Sequence, residues 1–203
     1  MKLTTKKISI ILAIISAGMF AAALAWNNLH SSFFLKLLFD DAKEFAESGS
    51  ISSNFMPIGY SGFVGVCIKV GGEGSIPTCQ SVLYAGILFA AFAFLFLCGA
   101  RGAWLCFGTL AAGLHPVVLV NIWRVHDGNL TVLLLLGFLA SGLWCVKSKG
   151  AWSALLWGVV TGLMLTTRVN TILLILPALF LLRRKIFVFL AGAAIMFMFV
   201  NMA

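Results

Sequence analysis

Four carboxylates, Asp40, Asp41, Glu44 and Glu47, crowd one short stretch of a chain that holds only six acidic residues in all. The adjacent pair Asp40 and Asp41 is the natural candidate for a general base or for metal ligands. Burial raises a carboxylate's pKa and a neighbouring guanidinium lowers it, so such a group can be tuned toward proton abstraction. The complementary cations are arginines. Arg168 interrupts an apolar run that otherwise continues from Ala151 to Leu182, a costly place for a charge unless it faces a polar site. Its planar fork suits a phosphate held through two hydrogen bonds. Arg124, His126 and Asp127 share one short turn, and Arg124 and Asp127 have the spacing of a helical ion pair. Each group also has a plainer role. Asp41-Ala42-Lys43-Glu44 resembles a capping box with Asp in place of Ser or Thr, in a short helix ended by Gly49. Arg168 is equally suited to snorkelling at an interface, and an Arg124–Asp127 pair to holding a turn. His115, next to Pro116, reads as a hydrogen-bonded structural residue.

The segments that must position these groups are apolar. Hydrophobic residues make up 62% of the 203-residue chain and charged residues 10%, against about 25% charged in soluble domains, and the mean hydropathy is +1.08. This composition excludes an ordinary soluble domain and indicates a polytopic, all-α membrane protein. The net charge of +8 is that of basic loops rather than of a nucleic-acid surface. Apolar runs predict spans over 8–26, 81–98, 103–120, 129–146, 151–167, 171–182 and 186–202, about seven in a single membrane domain, with an exported loop over 27–80. The first run follows Lys2, Lys6 and Lys7 and exceeds a signal-peptide core in length, so an uncleaved helix is favoured over cleavage near Ala23-Leu24-Ala25. Met56–Val70 is marginal as a span and reads as an interfacial or re-entrant helix. Nine basic residues then fall inside and five outside, with all six acids outside, an arrangement the positive-inside rule favours. The same topology brings Asp40, Asp41, Asn121, Arg124, His126, Asp127, Arg168 and Asn170 to one face. Of the five cysteines, Cys67 and Cys79 lie in the exported loop, where an oxidising compartment would allow them to pair.

The order of features, a first helix, an acidic pair, a short helix ended by Gly, a P-x-G-Y segment and a Gln-led second helix, resembles bacterial membrane glycosyltransferases of the GT-C fold. That group includes the polyprenyl- or dolichyl-phosphate-sugar-dependent mannosyltransferases. The matching stretches are Asp40-Asp41, Pro57-Ile58-Gly59-Tyr60, Pro116 with Asp127, and Gly162 to Arg168. The resemblance implies a catalytic acid at Asp40 or Asp41, and it makes Arg168 and Arg124 the candidates for binding the donor phosphate. Asp127, His126 and Tyr60 would support them. The implied partners are a lipid-linked sugar donor, a glycan, lipid or protein acceptor, and membrane lipid, with no nucleic acid. The implied setting is the bacterial cytoplasmic (inner) membrane, with the N-terminus cytoplasmic. A divalent metal held by the aspartates is an open alternative to direct base catalysis. Family members usually carry further helices, so on this resemblance the chain would correspond to an N-terminal module. A non-catalytic membrane partner that joins another subunit, and a lipid-linked sugar transporter, are the competing expectations.

Overall fold

The computed structural model describes residues 36–51, 58–122, 127–148, 150–168, 172–173, 175–182 and 185–202. Among them every regular element is helical: α1 Lys36–Ser48, α2 Ile58–Gly71, a 3₁₀ turn Glu73–Ser75, α3 Ile76–Leu97, α4 Ala103–Gly113, α5 Pro116–Ile122, α6 Gly128–Lys147, α7 Ala151–Thr167, α8 Ile175–Leu182 and α9 Ile186–Met202. The expected first span, 8–26, lies outside the described residues.

Seven spans are not reached among the described residues. Glu73–Leu97 and Gly128–Lys147 are each long and apolar enough to cross a membrane, and α4 with α5 makes a third if the bent pair counts as one span. The pair is bent by 52° because Pro116 cannot donate a backbone hydrogen bond and holds His115 out of the helical conformation. His115 starts α5 instead, its Nδ1 accepting from the Val117 N–H at 3.3 Å. Helices α7 and α9 have 17 residues each, about 25 Å at the helical rise, short of a hydrocarbon core of about 30 Å. Within the expected span 171–182, α8 has only eight residues. The segment over Met56–Val70 forms the 14-residue α2, not a spanning helix.

Connectivity follows from a few contacts. Leu133 packs where a Gly86 side chain would lie, and Lys147 Nζ donates to the Leu97 carbonyl, so α3 and α6 run parallel. Helix α4 returns along α3, with Tyr84 Oη donating to the Gly113 carbonyl at 3.1 Å. Helix α7 runs back along α6: Ser148 and Ser153 meet at one end, Asp127 and Arg168 at the other. Helices α7 and α9 are parallel and packed backbone to backbone. A Cβ at Gly158 would stand 2.1 Å from the Phe189 carbonyl oxygen, and one at Gly162 would stand 2.5 Å from that of Ala193. Small residues allow this close approach, the usual way apolar helices associate in lipid. Trp157 fills the adjoining core, 5.3 Å from the Phe138 ring and 5.5 Å from that of Phe189.

The bundle therefore has two chemically different ends. One carries Arg101, Lys147 and Lys185, each donating to nearby backbone carbonyls, the favourable placement for cations at helix C-termini. The other carries all six acidic residues, on α1, in the 3₁₀ turn and at the start of α6.

Candidate functional site

The acidic end is built around α2. Tyr60 meets Gln80 and Cys67 is bonded to Cys79. Residues about 10 Å apart along α2 thus reach adjacent residues of α3, so α2 crosses the start of α3 rather than lying along it. The N-terminus of α2 rests on the end of α7, where a Cβ at Gly59 would fall 2.7 Å from Thr166 Oγ1. Six residues further, about 9 Å along the axis, Gly65 accommodates Ala42 and Phe45 of α1. Ala42, Tyr60, Val64 and Ile76 make a small core, with Phe39 and Leu130 packed against it. That core joins α1, α2, α3 and α6. Gly49, with φ of 76°, ends α1 in the conformation that favours glycine.

The two aspartates are not equivalent. Helix α1 starts at Lys36, ahead of both, so neither sits at its N-terminus and the capping-box role does not apply. Asp41 is buried and Asp40 is exposed. Lys43 pairs with Glu73 at 2.6 Å, and that hydrogen bond raises the Lys43 pKa. Exposed pairs of this kind contribute little to stability.

Arg168 and Asp127 form a two-pronged pair across 41 residues of sequence: Nε donates to Oδ2 at 2.7 Å and Nη2 to Oδ1 at 3.1 Å. Asp127 occupies the N-cap position of α6 but makes no side-chain cap; its carboxylate is turned to Arg168. The hydrogen bond from Asp127 raises the Arg168 pKa above its ordinary value. The spacing that pointed to Arg124 as the partner of Asp127 thus missed the pair that Asp127 makes with Arg168. Arg124, His126 and Asn170 lie outside the described residues. Among the described residues no group of three or more His, Cys, Asp or Glu side chains is placed to hold a metal ion.

Further polar groups at this end are deeply buried. Gln80 donates through Nε2 to Tyr60 Oη, while among the described residues its Oε1 has no partner; nor do Ser61 Oγ, Thr131 Oγ1 or either amide atom of Asn129. Gln80 and Asn129 are 2% and 0% exposed. Folded proteins leave few such groups, since each costs about 1–3 kcal/mol. Asn129 and Thr131 escaped the sequence reading because neither is charged. Their signal was position: polar side chains in the first turn of an otherwise apolar helix.

Cys67 and Cys79 form a disulfide with Cα atoms 6.5 Å apart, while Cys98, Cys106 and Cys145 are free. The bridge ties α2 to the first turn of α3 at the acidic end. The exposed free thiol, Cys98, lies at the basic end. No family model, no curated protein and no solved structure matches the chain.

Proposed function

We propose that the protein is a membrane glycosyltransferase-like enzyme that moves a sugar from a polyprenyl-phosphate donor to a hydroxyl acceptor at the acidic end of the bundle. The observation that carries this reading is the gathering of Asp41, Tyr60, Gln80, Asn129 and the Asp127–Arg168 pair at one end. Buried amides with unused hydrogen-bonding capacity suit the hydroxyls of a sugar. A half-exposed guanidinium suits a phosphate.

In the proposed reaction the acceptor oxygen attacks the anomeric carbon as the bond from that carbon to the phosphate oxygen breaks. Asp41 takes the acceptor's proton, and the lipid phosphate leaves with both bonding electrons. Arg168 stabilises the charge that develops on it, while Asp127 holds the guanidinium in place. Displacement in one step inverts the anomeric centre. Asp41 is preferred to Asp40 because its carboxylate is enclosed by the fold rather than projecting into solvent.

The acidic end would face the exported side of a bacterial cytoplasmic membrane. Two asymmetries support this orientation: the cations at the opposite end, and a disulfide at the acidic end where the basic end has an exposed free thiol. A second reading, a non-catalytic membrane partner, is favoured by one observation: the Arg168 fork is already engaged by Asp127. Mass spectrometry of lipid-linked sugars and envelope glycans, with and without the gene, separates the two. Accumulated donor and one missing sugar in the deletion strain support transfer; unchanged profiles support the partner role.

A further inference from the structure

A second feature lies at the other end of the molecule. An open apolar groove of about 570 Å³ runs between α3, α6 and α7, within the usual range of about 300–1,000 Å³ for ligand clefts. Phe89, Phe92 and Phe96 of α3, Trp144 of α6 and Leu156 of α7 line it. Gly137 and Ala140 also line it, and their small size leaves room for a chain to lie between the helices. Two cations contact its lining directly. The Arg101 guanidinium stacks over the Phe96 ring at 4.4 Å and donates to the Phe96 carbonyl at 3.1 Å. Lys147 donates to the carbonyl of Leu97, another lining residue. Both side chains are exposed, and both have donors beyond the bonds named here: an ammonium has three and a guanidinium five. No carboxylate competes, since all six acids of the chain are at the opposite end.

An aromatic-walled groove with two cations at one mouth and no acid nearby matches a molecule with a long apolar chain and an anionic head. We propose that it binds an anionic membrane phospholipid, with an acyl chain along Phe89, Phe92, Phe96 and Trp144 and the headgroup phosphate between Arg101 and Lys147. Basic sites between membrane helices hold anionic headgroups by this combination. Zwitterionic lipid fills the same groove without the gain from the two cations. The inference depends on the chain residing in a membrane and is independent of sugar transfer.

The test uses the full chain in nanodiscs of mixed phosphatidylglycerol and phosphatidylcholine, in which one lipid or the other carries brominated acyl chains and the mole ratio is varied. Bromine quenches nearby tryptophan, and the difference between the wild type and Trp144→Phe isolates the signal of Trp144. Near the membrane surface each cation is worth roughly fivefold in affinity. Quenching of Trp144 as the ratio varies should therefore give phosphatidylglycerol an affinity about twenty-fivefold that of phosphatidylcholine. In R101Q/K147Q the preference should disappear, quenching by either lipid then following its mole fraction. In R101K/K147R, which keeps both charges, the preference should remain. Equal affinity of the wild type for the two competing lipids, or a preference that survives R101Q/K147Q, would overturn the proposal and leave ordinary surrounding lipid as the occupant.

Discussion

At the residue scale, the Asp127–Arg168 pair is the clearest case of a contact the sequence could not disclose. Both residues stood out by type, an acid and a base beside apolar helices, but 41 positions separate them, and only the antiparallel packing of α6 on α7 brings them together. Asp41 and Asp40 are likewise conspicuous by type, yet only the seating of α1 on α2 distinguishes the buried from the exposed one. Two outcomes follow for the pair. Arg168→Lys keeps the charge and loses the fork, so the proposed enzyme should use its lipid-phosphate donor less well while the protein inserts normally. In a double-mutant cycle with Asp127→Asn, thermal unfolding in detergent should give a coupling of about 1 kcal/mol, as expected for a partly exposed ion pair. A coupling near zero would mean that Asp127 does not position Arg168.

At the scale of elements, most helices were legible because long apolar runs permit little else in a membrane. Their breaks were less so. Pro116 inside an apolar run was visible and marks the break, but the size of the bend, 52°, was not to be read from the sequence. The parallel seam of α7 and α9 rests on Gly158, Gly162 and Gly192, whose spacing in sequence does not say which helix each faces. Gly158→Ala should lower the melting temperature markedly, because the added methyl meets backbone that cannot yield; overpacking of this kind costs about 1–3 kcal/mol. Gly137→Ala is the control. Its added Cβ would lie 3.6 Å from Val160, an ordinary contact, so stability should hold or rise slightly. Equal losses in the two variants would contradict the close seam. The Cys67–Cys79 bridge was legible only as a compartment-dependent option. Alkylation of the unfolded, unreduced protein should label the three free cysteines, and prior reduction should expose all five. Five labels without reduction would remove the bridge.

At the scale of the whole molecule, the all-helical class, with helices apolar enough to cross a membrane, was legible from composition, whereas the span count was not. Hydropathy registers an apolar run but not the length of the helix it yields, and α8 is the plain example: among the described residues of the run over 171–182, the α-helix covers eight. The separation of acids from cations was visible in the loops, and the fold turns it into two distinct ends. On the proposed orientation, a reporter fused after Lys185 should be cytoplasmic and one fused near Ser50 exported; the reverse would place the acidic end in the wrong compartment for an exported-side transferase. The measurement that tests the central claim most directly is sugar transfer from a defined polyprenyl-phosphate donor by purified wild type, Asp40→Asn and Asp41→Asn at matched amounts. The account predicts transfer by the wild type, its loss in Asp41→Asn with the protein still folded and inserted, and substantial activity in Asp40→Asn. Transfer at the wild-type rate by both variants, or none by the wild type, would contradict it.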